Sequence, residues 1–125
     1  SIREVQENRM DAVKLAAEKY GAVVVLKGSR TLIASPEGKL LVNCTGNAGM
    51  ATGGMGDVLS GIIGALLGQG LDALTAAALG VYFHGLVGDV AALDKGEMGL
   101  NAGDIIDYLP VVLADYEEKL KGAHA

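Results

Sequence analysis

Aromatic residues are nearly absent. Phe, Trp and Tyr make up 4% of the 125 residues, with one Phe and no Trp. A core must therefore be assembled from Ala, Val, Leu and Ile. Cysteine is scarcer still. A single residue, Cys44, excludes an internal disulfide and a Cys-rich zinc site, and it fits a reducing, cytoplasmic setting. Positive charge is also short. Ten Lys and Arg stand against 15 Asp and Glu, a net charge of -5 and a pI near 4.8. Nonspecific nucleic-acid binding needs a basic footprint, so it is excluded. An anion ligand is not excluded, because one amide-lined pocket can sit in an acidic protein. No basic-then-apolar leader opens the chain. The most apolar run, Val58 to Leu71, is too short to span a bilayer, and the next is broken by His84 and Asp89. The expectation is a soluble protein without membrane or nucleic-acid partners.

Hydrophobic residues are plentiful, at half the chain, and 19 residues are glycine. This is a globular domain of modest size. Residues 3–20 read as a helix with Val5, Ala12, Val13, Ala16, Ala17 and Tyr20 on its apolar face, stopped at Gly21. AVVVL, residues 22–26, reads as a buried parallel strand covered on both faces. TLIA (31–34) and KLLVN (39–43) flank SPEG and read as a hairpin. A helix is expected over about 56–67, and its Gly61 and Gly64, with the small residues of the helix that follows, suggest close helix packing. Another starts near Asp72 as N-cap and runs to about Leu93. LDKGEMGLNAG is expected to be a loop. A short helix over 102–109, a new one from Pro110 and a fraying tail complete the chain. This is α/β material in which a single strand looks centrally buried. The expectation is the C-terminal portion of a larger α/β domain, lacking part of its sheet.

Glycine concentrates in TGNAGMATGGMGDVLSGIIG, residues 45–64, just before a helix. The first N–H groups of a helix have no internal partners, and the dipole adds about half a positive charge there. Gly54, Met55 and Gly56 therefore form a candidate anion hole. The loop is not a Walker A motif, since Lys-Ser/Thr is missing, and Leu59 breaks a GxGxxG match. Asp57 sits at the join. It is either a helix-start acid favoured by the dipole or a base that takes a proton from an attacking hydroxyl. A second candidate is LKGSRT, which directly follows the strand at 22–26. Strand C-terminal ends collect ligands in α/β sheets. Lys27 could meet a phosphate there, Gly28 permits close approach, and Thr31 offers a hydroxyl. His84 reads as a packing histidine, and Cys44 has no basic neighbour to activate it. Asp104 and Asp107 read as a helix start and a solvated face.

VVLKGSRTLIASPEG, NCTGNAGMATGGMGDVLSGIIGALLGQG, VYFHGLVGD and GLNAGDIIDYLP together closely resemble the ADP-dependent NAD(P)H-hydrate dehydratases of the ribokinase-like superfamily. The resemblance covers essentially the whole chain. It implies the C-terminal portion of a ribokinase-like three-layer α/β/α domain. It also implies a repair enzyme that dehydrates the 6-hydroxy forms of NADH and NADPH while ADP is split to AMP and phosphate. Asp57 would be the catalytic base and contact the substrate. Lys27, Gly28, Ser29, Arg30, Thr31 and Gly56 would bind the nucleotide. Asn47, Met50 and Thr52 would shape the pocket. Mg²⁺ is expected with the diphosphate, without protein ligands visible in the sequence. The family's domain carries further elements before the position of Ser1. A separate chain supplying that N-terminal part is therefore an expected partner, as is self-association, tetramers being common in the family. The rival readings are a small-molecule kinase of the same superfamily, acting on a hydroxymethylpyrimidine, thiazole or sugar, and a non-catalytic nucleotide-binding module.

Overall fold

The computed structural model describes residues 2–124. Helix α1 (Ile2–Tyr20) leads into strands β1 (Val24–Leu26), β2 (Leu32–Ala34) and β3 (Leu40–Val42). A single 3₁₀ turn (Ala48–Met50) precedes helices α2 (Met55–Gly68), α3 (Ala73–Lys95) and α4 (Ala102–His124). The strands form one antiparallel sheet in the order β1-β2-β3, with Val25 opposite Ile33 and Ile33 opposite Leu41.

The layers follow from the two-residue period of β2. Leu32 and Ala34 face one way, onto Val13 and Ala17 of α1. Ile33 faces the other way, onto Leu59 of α2 and Ala77 and Val81 of α3. Helices thus cover both sides of the sheet, the three-layer arrangement expected. A third cluster joins Met55, Val87, Ala91, Leu100, Ile105 and Val112, seating α4 on α2 and α3.

Several expectations need correction. The strand at 22–26 is shorter and pairs antiparallel with β2. Its faces are covered as expected, through Val24 and Leu26 on one side and Val23 and Val25 on the other. The fully buried central strand, however, is β2. Both of its edges are paired, whereas β1 has no second neighbour among the described residues and stays half-buried. The apolar face of α1 is narrower than the composition suggests. Met10, Val13 and Ala17 pack inward, while Val5 and Tyr20 are exposed.

The hairpin forms as read. Ser35 and Lys39 close it, and Gly38 takes φ 95°, which a side chain would strain. Asp72 caps α3, its Oδ1 accepting from the Thr75 amide at 2.8 Å. Close helix packing forms as read on the α3 side, at Gly80, but not at Gly61 or Gly64. A Cβ on Gly80 would lie 2.5 Å from Ile63, while nothing approaches within 4 Å of Gly61 or Gly64.

Helix α4 runs unbroken through Pro110 to His124, where a break and a frayed tail are expected from sequence. Pro110 and Ile106, whose carbonyl loses its helical partner, are both exposed, so water can satisfy that group. Asp104 lies in the first turn of α4 and Asp107 is exposed, both as read, and Asp104 is buried. It accepts from Lys95 Nζ at 2.6 Å and from the Asn101 amide at 2.9 Å, while its own amide donates to Asn101 Oδ1. Helix α3 is long and apolar enough to cross a membrane, but 56% of that stretch is buried within the fold as its core helix.

Candidate active site

The C-terminal end of β1, the 3₁₀ turn and the first turn of α2 meet over the middle of α3. They enclose a cavity of about 700 Å³. Of the residues singled out in the sequence, Lys27, Gly28, Ser29, Thr31, Asn47, Met50, Thr52, Met55 and Gly56 line it. Arg30 and Gly54 do not, nor does Asp57. Arg30 is exposed and contributes its carbonyl to Arg9 Nη2 at 3.2 Å.

The start of α2 is built as an anion site requires. Gly54 is the N-cap with φ 85°, a left-handed conformation that only glycine adopts freely. It makes no side-chain cap, but the Met55 amide, expected to face an anion, donates instead to the Thr52 carbonyl at 3.4 Å. Lys27 reaches this helix start from the end of β1. A Cβ on Gly56 would lie 2.6 Å from Lys27 Nζ, so glycine here makes room for the ammonium group. A cation beside the positive end of a helix dipole is unfavourable by itself and becomes favourable with an anion between them. Asp57 follows in the same turn and is exposed, with its side chain outside the cavity lining.

The loop over the cavity is strapped to α3 by side chains the sequence does not mark. Asp89 takes the Gly46 amide on Oδ2 and Asn47 Nδ2 on Oδ1, each at 2.9 Å. Asn47 Oδ1 in turn caps the 3₁₀ turn by accepting from the Gly49 amide at 3.0 Å. Thr45 Oγ1 donates to the Tyr82 carbonyl at 2.9 Å. Gly85 and Gly88 allow this close approach. A Cβ on Gly85 would lie 2.1 Å from Thr45 Oγ1, and one on Gly88 would lie 2.2 Å from Met50 Sδ. The VYFHGLVGD segment holds these residues one helical turn apart, which is the signal a sequence reading could have used.

Two further residues bear on the site: Arg9, which backs Gly28, and His84, read from sequence as a packing histidine. Arg9 of α1 packs so tightly on Gly28 that a Cβ there would lie 2.4 Å from Arg9 Nη2. His84 lines the cavity and is buried. Burial, the largest effect, depresses its pKa. A backbone hydrogen bond with Met55 acts the other way, and the Lys27 charge adds to the depression. Among the described residues no three His, Cys, Asp or Glu side chains gather to hold a metal ion. A protein-built Mg²⁺ cage does not fit this site, and the expected Mg²⁺ would have to be carried by phosphate oxygens and water.

A glycine-led helix start and a lysine meet in one cavity beside a sheet covered by helices on both faces, an arrangement that suits an anion-binding α/β domain. Comparison with known proteins narrows the class. The profile of the NAD(P)H-hydrate dehydratase family matches residues 1–111, and the chain belongs to that family. It is 50% identical over 118 residues to the bifunctional NAD(P)H-hydrate repair enzyme Nnr of Moorella thermoacetica, covering 94% of this chain and 22% of that protein. It is 48% identical over 106 residues to the ADP-dependent (S)-NAD(P)H-hydrate dehydratase of Neisseria meningitidis, covering 84% and 36%. The ADP/ATP-dependent NAD(P)H-hydrate dehydratase of Bacillus subtilis, co-crystallized with ATP/Mg²⁺, superposes with a TM-score of 0.84 at 35% identity, over 92% of this chain and 42% of that one. The chain thus spans roughly a fifth to two-fifths of the length of these relatives.

Proposed function

We propose that this chain forms the phosphate-handling part of an ADP-dependent NAD(P)H-hydrate dehydratase. The observation that carries the reading is the meeting of Lys27 with the glycine-led start of α2, one residue before Asp57. Lys27 and the Gly56 amide hold the phosphoryl group to be transferred, and Gly28, Ser29 and Thr31 hold the nucleotide. Asp57 takes the proton of the substrate's 6-hydroxyl. That oxygen attacks the β-phosphorus of ADP, the bond to the bridging oxygen breaks, and AMP leaves. Hydroxide is a poor leaving group, whereas the phosphate ester is a good one. The ring nitrogen's lone pair expels phosphate, the neighbouring ring carbon loses a proton, and NADH or NADPH is restored. Mg²⁺ supplies charge neutralisation on the diphosphate when bound. Asp57 is exposed outside the cavity lining, and in this reading the hydrated ring sits beside it, next to Gly56.

The open edge of β1 and the length of the relatives support a partner segment. In this reading, further polypeptide corresponding to the relatives' preceding region extends the sheet and completes the substrate site, as a separate chain or as part of the same one. A cytoplasmic, homo-oligomeric enzyme belongs to the same proposal. The test incubates NADH hydrate and ADP with the protein, alone and with that preceding region supplied. The expected products are NADH, AMP and phosphate in equal amounts. ADP with a phosphorylated small molecule would instead mark a kinase of the same class.

A further inference from the structure

Helix α3 carries a buried group that the protein itself leaves without a partner. His84 is 9% exposed, and its Nε2 has no hydrogen-bond partner. Folds keep few such atoms, and one on a residue that lines a cavity points to a ligand. The ring's hydrogen bond with the Met55 backbone favours the protonated imidazole, so the ring is the donor and the Met55 carbonyl the acceptor. With Nε2 partnerless, the donating nitrogen is Nδ1. Burial and the Lys27 charge hold the ring neutral at neutral pH. The tautomer is then fixed with the proton on Nδ1, and Nε2 presents a bare lone pair. His84 lines the same cavity as Lys27 and Gly56, and its buried Nε2 lies within that wall. A fully ionised phosphate offers it no proton, so the matching chemistry is a hydroxyl or amino group.

We propose that His84 Nε2 is a ligand contact, accepting a hydrogen bond from a hydroxyl or amino group of the nucleotide held in this cavity. The proposal rests on the nucleotide-binding reading given above and assigns an acceptor within it. The site would then sense two features at once, an anion at the start of α2 and a donor at His84. A bare anion would satisfy only the first.

The test is side-chain ¹⁵N NMR of the 125-residue protein at pH 7.5, with His124→Gln used to assign the two histidines. AMP and sulfate are titrated separately. AMP is expected to move the Gly56 amide and to shift His84 Nε2 upfield, with Nδ1 still protonated. Sulfate is expected to move the Gly56 amide alone. If AMP moves the Gly56 amide and leaves Nε2 unchanged, the His84 contact is wrong and the nucleotide reading stands. Protonation of Nε2 on binding overturns the acceptor role. If AMP moves neither signal, both readings fail. As a second measure, His84→Asn should weaken AMP about threefold to tenfold and leave sulfate affinity unchanged. An equal loss for both ligands would show a purely structural role and overturn the proposal.

Discussion

Lys27 and Gly56 share one space. The lysine ammonium occupies the position next to the second residue of α2 that any side chain there would claim, its Nζ 2.6 Å from where a Cβ would be. The consequence separates stability from binding. Gly56→Ala adds a better helix former, by up to about 1 kcal/mol, and displaces only the end of a flexible side chain. Thermal unfolding should therefore shift little or upward. AMP affinity should fall about tenfold or more, because the ammonium no longer faces the amides. Calorimetric titration beside a melting curve checks both.

The glycines of the two central helices should behave in opposite ways. Gly64→Ala meets nothing within 4 Å and should stabilise by about 0.5–1 kcal/mol. Gly85→Ala puts a Cβ 2.7 Å from the Thr45 backbone carbon, which cannot swing aside as a side-chain tip can. A loss of about 1–3 kcal/mol is expected. Urea unfolding of the two variants decides the matter.

Asp89 holds the loop through two donors, and an amide in its place cannot accept both. In Asp89→Asn the new N–H₂ must confront either the Gly46 amide or Asn47 Nδ2. Leaving a donor unmatched costs about 1–3 kcal/mol locally. Hydrogen exchange at the Gly46 and Gly49 amides should accelerate well beyond that in the body of α3. Uniform acceleration would mean that Asp89 serves the whole fold and not this loop.

His84 gives stability a pH dependence with a definite sign. Its pKa is depressed in the folded protein, so the unfolded chain takes up the proton first as pH falls. The stability is fully present above the unfolded value near 6.5 and declines as pH drops toward the folded value. Asp72 and Asp104, held below the usual carboxylate range chiefly by their bonds to Thr75 and Lys95 respectively, act only at lower pH. Melting temperatures between pH 7 and 5 should slope downward for the wild type and much less for His84→Gln.

Much of this was legible in the sequence because it is local. The Asp72 cap, the SPEG turn and the glycine-led helix start each depend on residues a few positions apart, and each forms as read. Strand partners are not local. Both AVVVL and LIA are short apolar runs, and nothing in either says which lies between two neighbours, so the buried role was assigned to β1 when β2 holds it. The site divides the same way. Residues 27–31 and 47–56 are contiguous motifs, and most of them line the cavity. His84, Asp89 and Arg9 join them only through folding. An unpartnered ring nitrogen, a doubly used carboxylate and an arginine on a glycine are visible only in three dimensions.

In the proposed reaction Asp57 is the base that starts phosphoryl transfer. Its most direct test is the rate of ADP-dependent NADH regeneration from NADH hydrate, compared between wild type and Asp57→Asn in the assembled protein, with AMP affinity measured on both. A rate loss of about 100-fold or more with AMP affinity nearly unchanged is expected. Unaltered turnover in the variant would contradict it.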